Sequence, residues 1–151
     1  MPQDLFTRFL ERFPNSYLDH HGDFRKFTSL LGRNNRLTTC GDETLLILNL
    51  DNPAFFLSET FAALSGSCLK NVPVVVLMPH EAMETIRECY HNHVASVIVV
   101  SPLNNNYERT IENIFDFWLS VCKLPKTQMP ANETINIKNS LDDDFFKGKR
   151  N

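Results

Sequence analysis

Three short stretches constrain this chain more than anything else in it. Thr44-Leu45-Leu46-Ile47-Leu48-Asn49-Leu50, Val72-Pro73-Val74-Val75-Val76-Leu77-Met78 and Val97-Ile98-Val99-Val100 are almost continuously apolar. A strand that alternates apolar and polar residues has one wet face. A strand that does not alternate needs cover on both faces, which is the condition of a parallel sheet between helical layers. Pro73 sits near the start of its stretch, where a missing N–H is tolerated. The segments between these stretches carry helical spacing. They run from Phe55 to Leu64 and from Glu81 to Tyr90. The final helix begins near Asn105 or Asn106; with Asn105 as cap, Glu108 stands in the capping-box position, and Tyr107, Ile111, Ile114, Phe115, Trp118 and Leu119 form its apolar face. Strands alternating with helices over short connections define an α/β domain.

The amino-terminal part fits the same architecture. Leu5, Phe6, Phe9, Leu10 and Phe13 recur on one helical face that Pro14 closes, and Ser16 to His20 reads as an edge strand. Asp23 is placed to cap a second helix through Phe24, Phe27, Leu30 and Leu31, with Gly32 as its stop. After Lys126 the chain turns polar and then acidic at Asp142-Asp143-Asp144, so residues 1–125 read as the domain and 126–151 as a tail.

Composition narrows the function. The 151 residues carry 15 Lys and Arg against 18 Asp and Glu, a net charge of −3 that argues against nucleic acid or an anionic membrane as partner. No apolar run approaches the ~18 residues of a membrane span, and the amino terminus lacks the pattern of a signal peptide. Cys40, Cys68, Cys89 and Cys122 are scattered, as expected of reduced thiols packed as small apolar groups. A cytoplasmic setting follows from these expectations. His20-His21 and His91-x-His93 lack further ligands at metal-site spacing, so no metal centre is expected there. No glycine-rich phosphate loop or nucleophile elbow occurs.

The run Leu46-Ile47-Leu48-Asn49-Leu50-Asp51-Asn52-Pro53, the strand Val72 to Leu77, Ser101-Pro102-Leu103, and Asp116-Phe117-Trp118-Leu119 followed by Lys123-Leu124-Pro125 together resemble the receiver domain of two-component response regulators. The likeness covers roughly residues 2 to 125. It is strongest to stand-alone regulators that partner phytochrome-like histidine kinases. The resemblance implies a flavodoxin-like (CheY-like) fold with strand order 2-1-3-4-5. It also implies phosphotransfer to an aspartate at the end of the third strand, assisted by Mg²⁺ on an acidic pair, a hydroxyl after the fourth strand and a lysine after the fifth. Each of these parts manages charge in phosphoryl transfer.

Residue by residue, this chain departs from that pattern. Asn49 stands at the phosphoacceptor position, and an amide neither attacks phosphorus nor offers an anion to a hard cation. Met78 takes the hydroxyl position, Ser101 the place of the lysine before Pro102, and Ile98 that of the aromatic switch. Asp51 is the surrogate acceptor candidate, two residues further along. With these departures taken together, no cofactor is expected here, Mg²⁺ included, and no catalytic residue. The resemblance places the partner or dimer face near Tyr90, His93, Tyr107, Phe115 and Trp118.

The family's first strand is central, and Met1 falls after its expected end. Three arrangements answer this: further chain upstream, a strand donated by a partner chain, or one supplied by the tail. In the tail, Glu133-Thr134-Ile135-Asn136-Ile137-Lys138 alternates, and Asp142 to Asp144 follow. The expectation is a degenerate receiver that binds a protein such as a histidine kinase or another signalling protein, or a second copy as a homodimer, without aspartyl phosphorylation. The alternatives are a phosphoryl-accepting regulator using Asp51, and a flavodoxin-like enzyme or small-ligand binder.

Overall fold

The computed structural model describes residues 3–32, 43–50, 57–126 and 147–150. Five strands form one sheet: β1 (Ser16–Asp19), β2 (Glu43–Asn49), β3 (Val74–Met78), β4 (Ser96–Val99) and β5 (Lys147–Arg150). The helices are α1 (Gln3–Arg12), α2 (Phe24–Gly32), α3 (Leu57–Ser65), α4 (Met83–His91) and α5 (Tyr107–Asp116). A π-helical turn, Phe117–Val121, extends α5, and the Cys122 N–H donates to the Phe117 carbonyl.

The strand order is β1-β5-β2-β3-β4. β2, β3 and β4 pair in parallel, while β5 runs antiparallel to both of its neighbours, β1 and β2. β1 therefore points the same way as the parallel strands, and four chain directions agree around one reversed strand. The carboxyl-terminal segment fills the central position, as one of the three arrangements read from the sequence had it, but with Lys147–Arg150. The Glu133 to Lys138 segment lies outside the described residues.

The pleat of β2 separates two cores. Leu46, Leu48 and Leu50 join Val74, Val76 and Met78 beneath Phe27, Leu31, Phe61 and Leu64 of α2 and α3. Leu45 and Ile47 join Val75 and Leu77 beneath Leu5 and Phe9 of α1 and Ile111, Phe115 and Leu119 of the last helix. Six of the seven β2 residues are buried, so the lack of alternation in the sequence has its physical cause in cover on both faces. Phe9 and Phe115 meet edge-on, with ring centroids 4.7 Å apart. On the outside, Arg8 pairs with Glu108 and Glu112, and Arg12 with Asp116 at 2.7 Å, fastening α1 along α5.

Local signals hold in part. The Asp23 carboxylate accepts the Arg25 N–H at 2.8 Å, as a cap should. The last helix is capped at Asn106 rather than Asn105, with no side-chain cap bond. There the Asn104 carboxamide accepts the Asn106 N–H, which moves the helix start one residue on, and Glu108 turns to Arg8. β4 is less covered than its composition suggests. It is the last strand of the sheet, and Val99 is 46% exposed.

Cys89 is fully buried in the α4 side of the core, and burial next to Glu88 pushes its thiol up to about 11 from 9.0. The folded state thus holds this proton more tightly than the unfolded chain. Its contribution to stability is complete below pH 9 and is lost as pH rises toward about 11. Urea midpoints measured from pH 8 to 11 should fall across that window, and a Cys89→Ala variant, less stable throughout, should fall less steeply. Equal slopes would contradict the assignment.

Candidate functional site

In a parallel α/β sheet the carboxyl ends of the strands are where side chains leave the core and face solvent. Here that edge is formed by the ends of β2, β3 and β4. Asn49 closes β2 opposite Leu77 and is exposed. The Leu50 N–H donates to the Leu77 carbonyl at 2.8 Å, so the backbone at this point is held by β3. By the alternation of the strand, Asn49 lies on the face of Leu45 and Ile47, the side covered by α1 and α5.

Met78 ends β3 with no exposed surface, packed within the α2–α3 core. A side chain in that position serves packing. Its carbonyl accepts the Val100 N–H at 2.9 Å, tying the two strand ends together. Beyond β4, Ser101 starts a turn: its hydroxyl accepts the Leu103 N–H at 3.2 Å and its carbonyl the Asn104 N–H at 2.9 Å. That hydroxyl is engaged with its own loop, and Pro102 beside it is exposed. Ile98 is half-buried against the α1–α5 core. Asp51 lies outside the described residues, as do Asp142 to Asp144.

The described donors at this edge are thus an amide, a hydroxyl turned into a turn, and the exposed His80 and Glu81 after β3. Among the described residues, no three His, Cys, Asp or Glu side chains come together as metal ligands. This donor set does not fit a hard divalent cation, which takes its ligands from clustered carboxylate and carbonyl oxygens.

The residues expected on a partner face divide. Tyr90 is 51% exposed on α4, and His93 is exposed in the turn that follows. His93 has φ 63°, a left-handed conformation that ends α4 at a cost of about 1 kcal/mol for a residue with a Cβ. Tyr107 and Trp118 are partly buried against the core. Phe115 does not belong with them: it is 1% exposed and packs against Phe9, because its helical position points into the sheet. Three residues that the sequence reading did not place on a partner face are exposed near β4 and α4: Met83, Val99 and Leu103. Single exposed apolar residues have no periodic signature, so only the structure singles them out.

Tyr90 also does something the sequence did not signal. Its hydroxyl accepts the Val97 N–H at 3.2 Å. β4 is an edge strand, and Val97 N–H is one of the groups it would otherwise present unpaired.

Comparison with solved structures gives the class of fold first. The chain has the fold of response-regulator receivers. The structure of response regulator Rcp1 in its Mn²⁺-bound form matches at 21% identity and TM-score 0.57, over 82% of this chain and 93% of that one. The phosphorylated cyanobacterial phytochrome response regulator RcpA matches at 27% identity and TM-score 0.57, over 69% of this chain and 75% of that one. Response regulator RPA3017, from red-light signalling in R. palustris, matches at 20% identity and TM-score 0.58, over 83% and 91%. No family model and no curated protein matches the chain. Among the described residues, no helix is long and apolar enough to cross a membrane.

Replacing Tyr90 by Phe should cost about 0.5–1.5 kcal/mol and speed amide exchange at Val97 while leaving Val76 in the sheet centre unchanged. NMR-detected hydrogen exchange on the pair of proteins reads this directly. Unchanged exchange at Val97 would remove the edge-cap role.

Proposed function

We propose that this chain is a degenerate receiver in two-component signalling, a non-enzymatic protein-interaction module of the cytoplasm that operates without aspartyl phosphorylation. One observation carries the proposal. The residue exposed at the end of β2 is Asn49, an uncharged amide, on a sheet with the fold of a receiver. Phosphoryl transfer needs a nucleophilic oxygen, cations for the transferred charge and a hydroxyl for the phosphoryl group. Asn49 cannot form an acyl phosphate, Met78 is buried in the core, and the Ser101 hydroxyl accepts a bond from its own loop. A scaffold kept while its chemistry is replaced is suited to binding. Protein partners fit the comparison with phytochrome response regulators, and a histidine kinase or a second copy is the partner type we favour. The surface offered would be that of Tyr90, His93, Met83, Val99 and Leu103, flanked by the half-buried Tyr107 and Trp118.

A second reading has one observation in its favour: RcpA, a similar structure, was obtained phosphorylated. In that reading Asp51 takes the phosphoryl group. Incubation with acetyl phosphate and Mg²⁺ followed by intact-mass spectrometry separates the two. The expected result is no adduct of roughly 80 Da on the native chain, and none on an Asn49→Asp variant. A stoichiometric adduct that borohydride trapping maps to Asp51 would establish the second reading instead.

A further inference from the structure

α1 and α5 lie side by side in the same direction, since Arg8 pairs with Glu108 and Glu112, and Arg12, one turn on, with Asp116. Between them is a cavity of about 340 Å³. Its floor is apolar: Leu5, Phe9 and Phe115 are buried, and the half-buried Phe13 has its ring centroid 5.3 Å from that of Phe9. This volume falls at the small end of ligand pockets, which run from about 300 to 1,000 Å³. None of Asn49, Met78 and Ser101 lines it, so it is separate from the carboxyl edge of the sheet.

Four charged side chains line the same cavity, two of each sign: Arg8, Arg12, Glu11 and Glu112. Arg8 and Glu112 are committed. One terminal nitrogen of Arg8 meets Glu108 and the other meets Glu112 at 2.8 Å. Arg12 and Glu11 are not committed in this way. Arg12 Nε lies 2.7 Å from Asp116 Oδ1, yet that buried oxygen accepts no hydrogen bond among the described residues. The contact is one of charge alone, and the donors of this guanidinium, on a side chain 61% exposed, stay available. Glu11 is exposed and pairs with no cation among the described residues. Neighbours in a helix do not face each other, so Glu11 and Arg12 cannot satisfy one another. The cavity thus offers a carboxylate and a guanidinium next to each other above three phenyl rings.

We propose that the α1–α5 cavity is a binding site for a free α-amino acid with an apolar side chain. The ligand carboxylate takes the planar donor fork of Arg12, whose geometry matches it. The ligand ammonium takes the Glu11 carboxylate, and the side chain lies on Phe9, Phe13 and Phe115. An α-amino acid holds its two charges on one carbon, which suits two partners that are adjacent in the chain. A zwitterion also adds no net charge to a lining whose charges cancel, whereas an acid or an amine alone leaves one of the two groups unmatched. A polar side chain would lose its water against the phenyl rings and gain no hydrogen bond in return.

The probe is L-phenylalanine, titrated into the full chain and followed by NMR at the Arg12 Nε–H and the Phe13 ring. Saturable shifts at both are expected by about 10 mM, where a site of even millimolar Kd is mostly filled. Phenethylamine lacks the carboxylate and hydrocinnamate lacks the ammonium, and each should bind at least about tenfold more weakly. Arg12→Gln should weaken L-phenylalanine binding about tenfold and leave that of phenethylamine unchanged. Glu11→Gln should weaken it likewise and leave that of hydrocinnamate unchanged. Both positions are exposed, and native circular dichroism checks that the variants fold. The series of three compounds needs only the native chain, so it decides whatever the variants do. No saturable shift at this cavity, equal affinity for the three compounds, or undiminished L-phenylalanine binding by either folded variant would overturn the proposal.

Discussion

The sheet depends on backbone hydrogen bonding between β1 and β2, which β5 provides for both. Without a strand there, each would present a row of unpaired N–H and C=O groups within a layer that helices cover, and an orphaned buried backbone group costs about as much as a lost hydrogen bond. The same strand completes the floor on which α1 and α5 rest, since Leu18 and Leu45 flank Gly148 in the row beneath Leu5 and Phe9. The Arg8 and Arg12 ion pairs that fasten α1 to α5 lie outside that floor and are half-exposed, so they orient the helices more than they stabilise them.

The fold is that of response-regulator receivers, with the difference that β5, the strand beside β1 and β2, runs antiparallel to both. At the end of β2, core packing and solvent exposure fall to alternate residues. Leu48 and Met78 point into the core, and Asn49 points out of it. The residue at position 49 can therefore vary without disturbing a core contact.

The strands at the centre of the fold were legible because burial on two faces leaves a mark that one-dimensional pattern can carry: an apolar run without alternation. β2 and β3 come from that signal. The first two helices come from spacing and, for α2, from the Asp23 cap. β4 was legible as a strand but not as an edge, since Val97 to Val100 has the same composition whether one or two strands flank it. Phe115 and Trp118 belong to one helical face, and spacing alone could not say that the first is fully buried and the second half-buried. β5 was legible as one of three arrangements, a strand supplied by the tail, but not at Lys147–Arg150. Lys-Gly-Lys-Arg has no apolar period and its pairing depends on partners more than 100 residues away in the chain, whereas the alternating Glu133 to Lys138 carried the local pattern of a strand. At the candidate site, the order along the chain placed Asn49, Met78 and Ser101 at or just beyond strand ends, which is where the structure has them. The cap that Tyr90 places on Val97 N–H was not, because a tyrosine on an exposed helix face has no signature for it.

The central claim is that the chain's own carboxyl-terminal residues run antiparallel through the middle of the sheet. Nuclear Overhauser contacts between backbone protons test it most directly, on uniformly labelled protein in solution. The account predicts cross-strand contacts from Gly148 to both Leu18 and Leu45, and from Arg150 to Glu43. Direct contacts between the backbones of β1 and β2, with none to residues 147–150, would contradict it.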